Sequence, residues 1–90
     1  MNWERSPVVR DRMITAARSA RIPIYLIPAE NDFSIAPTKV LSQVMAEHGK
    51  SHQAKIYPAF GTTNQDGHGF CIQGSAIWAN DFFAFLRDQL

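Results

Sequence analysis

Two short apolar segments with one helical stretch between them constrain this chain more than any other feature. Ile22-Pro23-Ile24-Tyr25-Leu26-Ile27-Pro28 is a nearly unbroken apolar run, and Gln53-Ala54-Lys55-Ile56-Tyr57-Pro58 follows about 24 residues later. Between them Val40, Leu41, Val44, Met45 and His48 recur at helical spacing, Pro37 suits a first helical turn, and Gly49 offers a C-cap. Strand, helix, strand at this length reads as a βαβ unit. Such crossovers are right-handed in nearly every case, so the carboxyl ends of both strands share one edge of a parallel sheet. The first run is apolar on both faces, as expected of a strand covered on both sides, while Pro23 sets its beginning near a sheet margin. The fold class is therefore α/β, with two parallel strands and three helices.

The other two helices flank this unit. Residues 7 to 20 carry Pro7 at a first-turn position and Val9, Met13, Ala16, Ala17 and Ala20 along one face. Residues 75 to 90 carry Trp78, Phe82, Phe85 and Leu86 as an apolar stripe, and Ser75 suits a cap. The stretch from Gly61 to Gly67 reads as a long irregular loop leading into His68.

A chain of 90 residues allows one small domain at most, and its 46% apolar content is too high for disorder. A net charge of +1 with scattered Lys and Arg gives no field suited to a nucleic-acid backbone. The lone Cys71 excludes an internal disulfide and any cysteine-rich zinc site. Met1 to Pro7 is too polar for a secretory signal, and no run approaches the ~20 apolar residues of a membrane span, so the default expectation is a soluble, cytoplasmic protein.

Open α/β sheets carry their sites at the carboxyl edge of the strands. Here the loop after the first strand holds Asp32, and the segment after the second holds Gly67-His68-Gly69. A carboxylate that orients an imidazole, and an imidazole that shuttles a proton, are the acid and base of nucleophile–His–acid catalysis. Their order, acid before histidine, is that of the α/β-hydrolases. Glu30 could compete with Asp32 for the role, whereas Asn31 and Asp66 read as turn residues.

The segment Ile24 to Asp32 with Pro37, the strand Lys55-Ile56-Tyr57-Pro58, and Gly67-His68-Gly69-Phe70 before an aromatic terminal helix resemble the C-terminal part of dienelactone-hydrolase-like α/β-hydrolases. The likeness spans about residues 20 to 90, with the helix at 7 to 20 preceding the penultimate strand. It implies that residues 1 to 90 form a single partial domain, the C-terminal segment of an α/β-hydrolase. It implies further that Asp32 and His68 match the catalytic acid and base, and that a Ser or Cys nucleophile and the oxyanion donors lie outside this chain. The parent would cleave a small-molecule ester or lactone, with no cofactor and no metal, and the isolated chain would be inactive. Ala29 stands where a glycine is common in the family, and the loop of residues 59 to 67 is longer than in many members.

No internal nucleophile is evident. Gly69-Phe70-Cys71-Ile72-Gln73-Gly74 approximates an elbow but has Gln73 at the second glycine position and no strand before it, so Cys71 reads as a small buried residue. His48 and His52 have the spacing of two metal ligands on a helix, but Gly49 ends the helix between them, and both read as solvent-facing. Trp78, Phe82 and Phe85 read as core. The alternative to a hydrolase segment is a non-catalytic, hydrolase-like assembly module or gene remnant, because a two-stranded sheet leaves edges open. Such a chain would form a homo-oligomer or pair with the missing N-terminal half.

Overall fold

The computed structural model describes residues 3–89. Helix α1 (Pro7–Arg18) begins where Ser6 accepts the Val9 amide at 3.4 Å, with Pro7 at the position that needs no donor. Strand β1 (Ile24–Leu26), helix α2 (Ala36–Glu47) and strand β2 (His52–Ala54) follow. Gly49, at φ 64°, supplies the left-handed residue that ends α2. Two short helices, α3 (Asn64–His68) and α4 (Phe70–Gln73), then lead into α5 (Ser75–Gln89).

The two strands pair in parallel with Ile24 opposite His52 and Leu26 opposite Ala54, and a single bridge between Ala29 and Tyr57 extends the pairing toward the loops. Alternation splits the strand's side chains between two layers. Ile24 and Leu26 pack with Ala17 of α1 and with Leu41 and Met45 of α2. On the other face Tyr25 meets the rings of Phe82 and Phe85 of α5, while Ile27 and Ala29 pack with Tyr57, Phe70 and Trp78. The result is helices on both sides of a two-stranded parallel sheet.

Several boundaries differ from the sequence expectation. The strand expected at 22–28 contracts to Ile24–Leu26, the one expected at 53–58 lies at His52–Ala54, and β1 is half-buried on both faces rather than covered. The cause is visible in the hydrogen bonds. The Ile24 amide and the Leu26 carbonyl bond to Ser51 and Lys55, so the alternation of a parallel ladder turns the backbone of Tyr25 and Ile27 to an edge that no strand among the described residues covers. Pro23, Pro28 and Pro58 have no N–H to extend the ladder. The described residues hold five helices instead of three, because the loop before His68 contains α3 and α4 intervenes before α5. Ser75 is the first residue of α5 and follows Gly74, which closes α4. On α5 only Phe85 is fully buried, Trp78 and Phe82 are half-buried, and Leu86 is 41% exposed, so the stripe is only partly covered; Leu90 lies outside the described residues. No helix among the described residues is long and apolar enough to cross a membrane.

A polar tie joins sheet and α5. The buried Tyr57 hydroxyl donates to Asp81 at 2.8 Å and lies 3.0 Å from the Tyr25 hydroxyl, and Lys55 reaches the same Asp81 oxygen at 2.8 Å. Burial, together with these bonds, pushes the Tyr57 phenol far above its ordinary range. Lys55 and Tyr57 hold Asp81 below the usual carboxylate value, and the Thr62 and Thr63 amides do the same for Asp66. Each depressed carboxylate contributes stability that is complete above the ordinary value of 3.8 and is lost as pH falls through the lower folded value. Acid titration followed by circular dichroism is expected to show destabilisation setting in below pH 3.8. The Asp66→Asn, Asp81→Asn double variant should flatten that dependence, and an unchanged acid limb would refute it.

Candidate functional site

The site is built where β1 and β2 hand over to their loops. The Glu30 amide donates to the Tyr57 carbonyl at 2.8 Å and the Asp32 amide to the Ala29 carbonyl at 3.1 Å, which turns the chain sharply after the strand and lifts Asp32 to the rim. Ala29 is wholly buried beside Tyr57, so the small side chain here serves packing.

The second half of the site comes from α3. Thr63 accepts the Asp66 amide at 3.1 Å while Asp66 accepts the Thr63 amide at 3.2 Å, a reciprocal cap that starts a five-residue helix. Asp66, expected as a turn residue, is therefore the partner in a capping box. His68 ends that helix.

Asp32 and His68 meet. His68 Nδ1 lies 3.0 Å from Asp32 Oδ1, which also accepts the Phe33 amide at 2.6 Å. A carboxylate only accepts, so in the neutral ring the proton sits on Nδ1 and Nε2 carries a bare lone pair. Nε2 has no hydrogen-bond partner among the described residues, and the His68 side chain is 63% exposed against 21% for Asp32. Phe33 stands edge-on to the imidazole with centroids 5.6 Å apart. Glu30 is exposed and makes no bond to the ring.

Asn31 is the residue that joins the two loops. Its side-chain amide donates to the carbonyls of Phe60 at 2.8 Å and Thr63 at 2.9 Å, and its oxygen accepts the Phe60 amide at 2.8 Å. Sequence reasoning gave it only a local turn, because those partners lie 29 and 32 residues away. Phe33 was also missed. A ring next to a candidate acid is a weak signal, but it was there to be read.

Gly67 explains one of the glycines around His68. A Cβ there would stand 2.6 Å from the Asn31 carbonyl carbon and side-chain oxygen, so a methyl group cannot enter without moving the acid loop. Gly69 has ordinary space around it. Gly67→Ala is expected to destabilise the fold by about 1 to 3 kcal/mol, the usual range for overpacking, and to lengthen the Asp32–His68 contact. Thermal melts and the His68 ring chemical shifts check both effects; a wild-type melt would refute the close fit.

The remaining candidates sit elsewhere. Cys71 is exposed on α4, contrary to its expected burial, because Phe70 occupies the core-facing position and the next residue of a helix lies about 100° further round. His48 is exposed and bonds the Val44 carbonyl of its own helix. His52, expected to face solvent, is half-buried, with Nδ1 on the Lys50 carbonyl and Nε2 beside Ser42, because it opens β2 under α2. No group of three His, Cys, Asp or Glu among the described residues could hold a metal ion. No protein-family model, curated protein or solved structure matches the chain.

Proposed function

We propose that residues 1–90 supply the acid and base of a nucleophile–His–Asp hydrolase that resembles the dienelactone-hydrolase-like α/β-hydrolases, with the nucleophile and oxyanion donors outside this chain. The observation that carries the reading is the 3.0 Å contact from His68 Nδ1 to Asp32, which leaves Nε2 free at the carboxyl edge of a parallel sheet. In the reaction Nε2 takes the proton of a Ser or Cys as it attacks an ester or lactone carbonyl. Asp32 stabilises the imidazolium, and the proton passes to the departing alkoxide. A water molecule, deprotonated by the same nitrogen, then attacks the acyl carbon, and the nitrogen returns the proton to the departing Ser or Cys as the acid is released. Among the described residues no hydroxyl or thiol bonds His68 Nε2, so the chain alone should show no His68-dependent turnover.

Nitrogen-15 NMR of the ring tests the base assignment directly. The expected result is the Nδ1–H tautomer in the wild type, and loss of that preference in Asp32→Ala. A wild-type ring protonated on Nε2 would remove His68 from the role.

A second reading, a non-catalytic module that pairs with another copy or with a separate N-terminal half, draws on one observation: Ile22, Ile72 and Phe33 are 72%, 85% and 61% exposed. Sedimentation velocity across a concentration series separates the readings, since a monomer throughout would leave self-association without support.

A further inference from the structure

A serine and a histidine also meet away from the Asp32–His68 rim. His52 Nδ1 lies 2.8 Å from the Lys50 carbonyl, and its Nε2 lies 3.2 Å from Ser42 Oγ. The carbonyl can only accept, so the neutral ring carries its proton on Nδ1 and presents a lone pair at Nε2. The Ser42 hydroxyl is then the donor of the second bond. Nucleophile, base and orienting acceptor are thus in line, with a backbone carbonyl in the place a carboxylate holds elsewhere.

The surroundings suit acyl transfer. Ser42 lines a cleft of about 450 Å³ between α2 and β2, with Ala46, Ala54 and Ile56 as apolar wall and Lys39, three residues earlier on the same helix, at its margin. Both Ser42 and His52 are half-buried, and Ser42 is the member of the pair that lines the cleft. We propose that Ser42 is an acyl-accepting nucleophile with His52 as its base, reactive toward activated esters of short apolar carboxylic acids. Ser42 Oγ bonds the carbonyl carbon as its proton moves to Nε2. The carbon–oxygen bond to the leaving alcohol breaks, and the alcohol departs with the proton from Nε2. Water then attacks the acyl carbon while giving a proton to Nε2, the bond to Ser42 Oγ breaks, and Nε2 returns the proton to that oxygen, leaving free acid and the original serine. Lys39 is the cation of the cleft lining, and its charge favours the developing oxyanion.

The test is peptide mapping of the 90-residue chain after brief exposure to p-nitrophenyl butyrate. Ser51 is the internal reference, since it is exposed and bonded to the Gln89 side chain rather than to an imidazole. Ser42 is expected to acquire the butyryl group on the order of 10²-fold faster than Ser51, the lower range for a positioned base. In His52→Asn, whose amide can keep the Lys50 contact but offers no base, the two serines should react alike. Equal rates at Ser42 and Ser51 in the wild type overturn the proposal, as does undiminished Ser42 acylation in the variant. Because the readout is the modified residue, this result and His68-dependent turnover succeed or fail separately.

Discussion

In the hydrolase proposed above, with its nucleophile present, His68→Ala is expected to lower kcat for a p-nitrophenyl ester by about 10⁶-fold with KM nearly unchanged. The magnitude follows from the number of steps that use one nitrogen. In the proposed reaction Nε2 accepts the nucleophile's proton, protonates the leaving group and activates water, so its removal slows acylation and deacylation together. Folding should be almost untouched. The side chain is 63% exposed, and its polar contact among the described residues is to Asp32 alone. Asp32→Asn should give a smaller loss, about 10⁴-fold, for a different reason. An asparagine amide can donate to Nδ1, which drives the ring proton to Nε2 and blocks the lone pair the reaction needs. Turnover that survives both substitutions would strike His68 and Asp32 from the chemistry.

Phe70→Ala is expected to cost about 3 to 5 kcal/mol, the range for deleting a buried aromatic ring. Phe70 is 1% exposed, packs at 5.1 Å from the Tyr57 ring and 5.4 Å from the Phe60 ring, and fills the space that Gly74 leaves open above it. Domains of this size hold about 5 to 15 kcal/mol in total, so the variant should melt far below the wild type or be unfolded at room temperature. The loss also reaches the candidate site, because Phe70 follows His68 by two residues and is buried just after the turn that carries it. Differential scanning calorimetry checks the first claim, and a melting temperature within a few degrees of wild type would refute it.

The parallel pairing was legible because one number decides it: the length between the apolar runs leaves room for a helix and little else. The meeting of Asp32 and His68 was legible for the same reason, since topology alone carries both loops to one rim. The short helices were not, because Asn64-Gln65-Asp66-Gly67-His68 has the composition of a loop. Thr63 with Asp66 three residues later was the available sign of a helix start. His52 and Cys71 were misjudged from local spacing, which cannot say whether a residue ends up beneath a neighbouring helix or on the outer side of a tight turn. Strand length was overestimated because an apolar run reports what a segment can bury, not how many neighbours it has.

The way Asn31 is held has a chemical consequence for ageing of the protein. Deamidation needs the next residue's nitrogen to attack the side-chain amide carbon. In the folded state that nitrogen, from Asp32, is bound to Ala29, and the amide itself is gripped by two carbonyls. The reaction is therefore confined to moments when these loops open. Once it occurs, the new carboxylate faces the Phe60 and Thr63 carbonyl oxygens with no proton to offer, so the loops cannot close as before. Each opening thus carries a small chance of permanent damage, and the fraction of deamidated chain in a stored sample keeps a record of how often the rim has come apart.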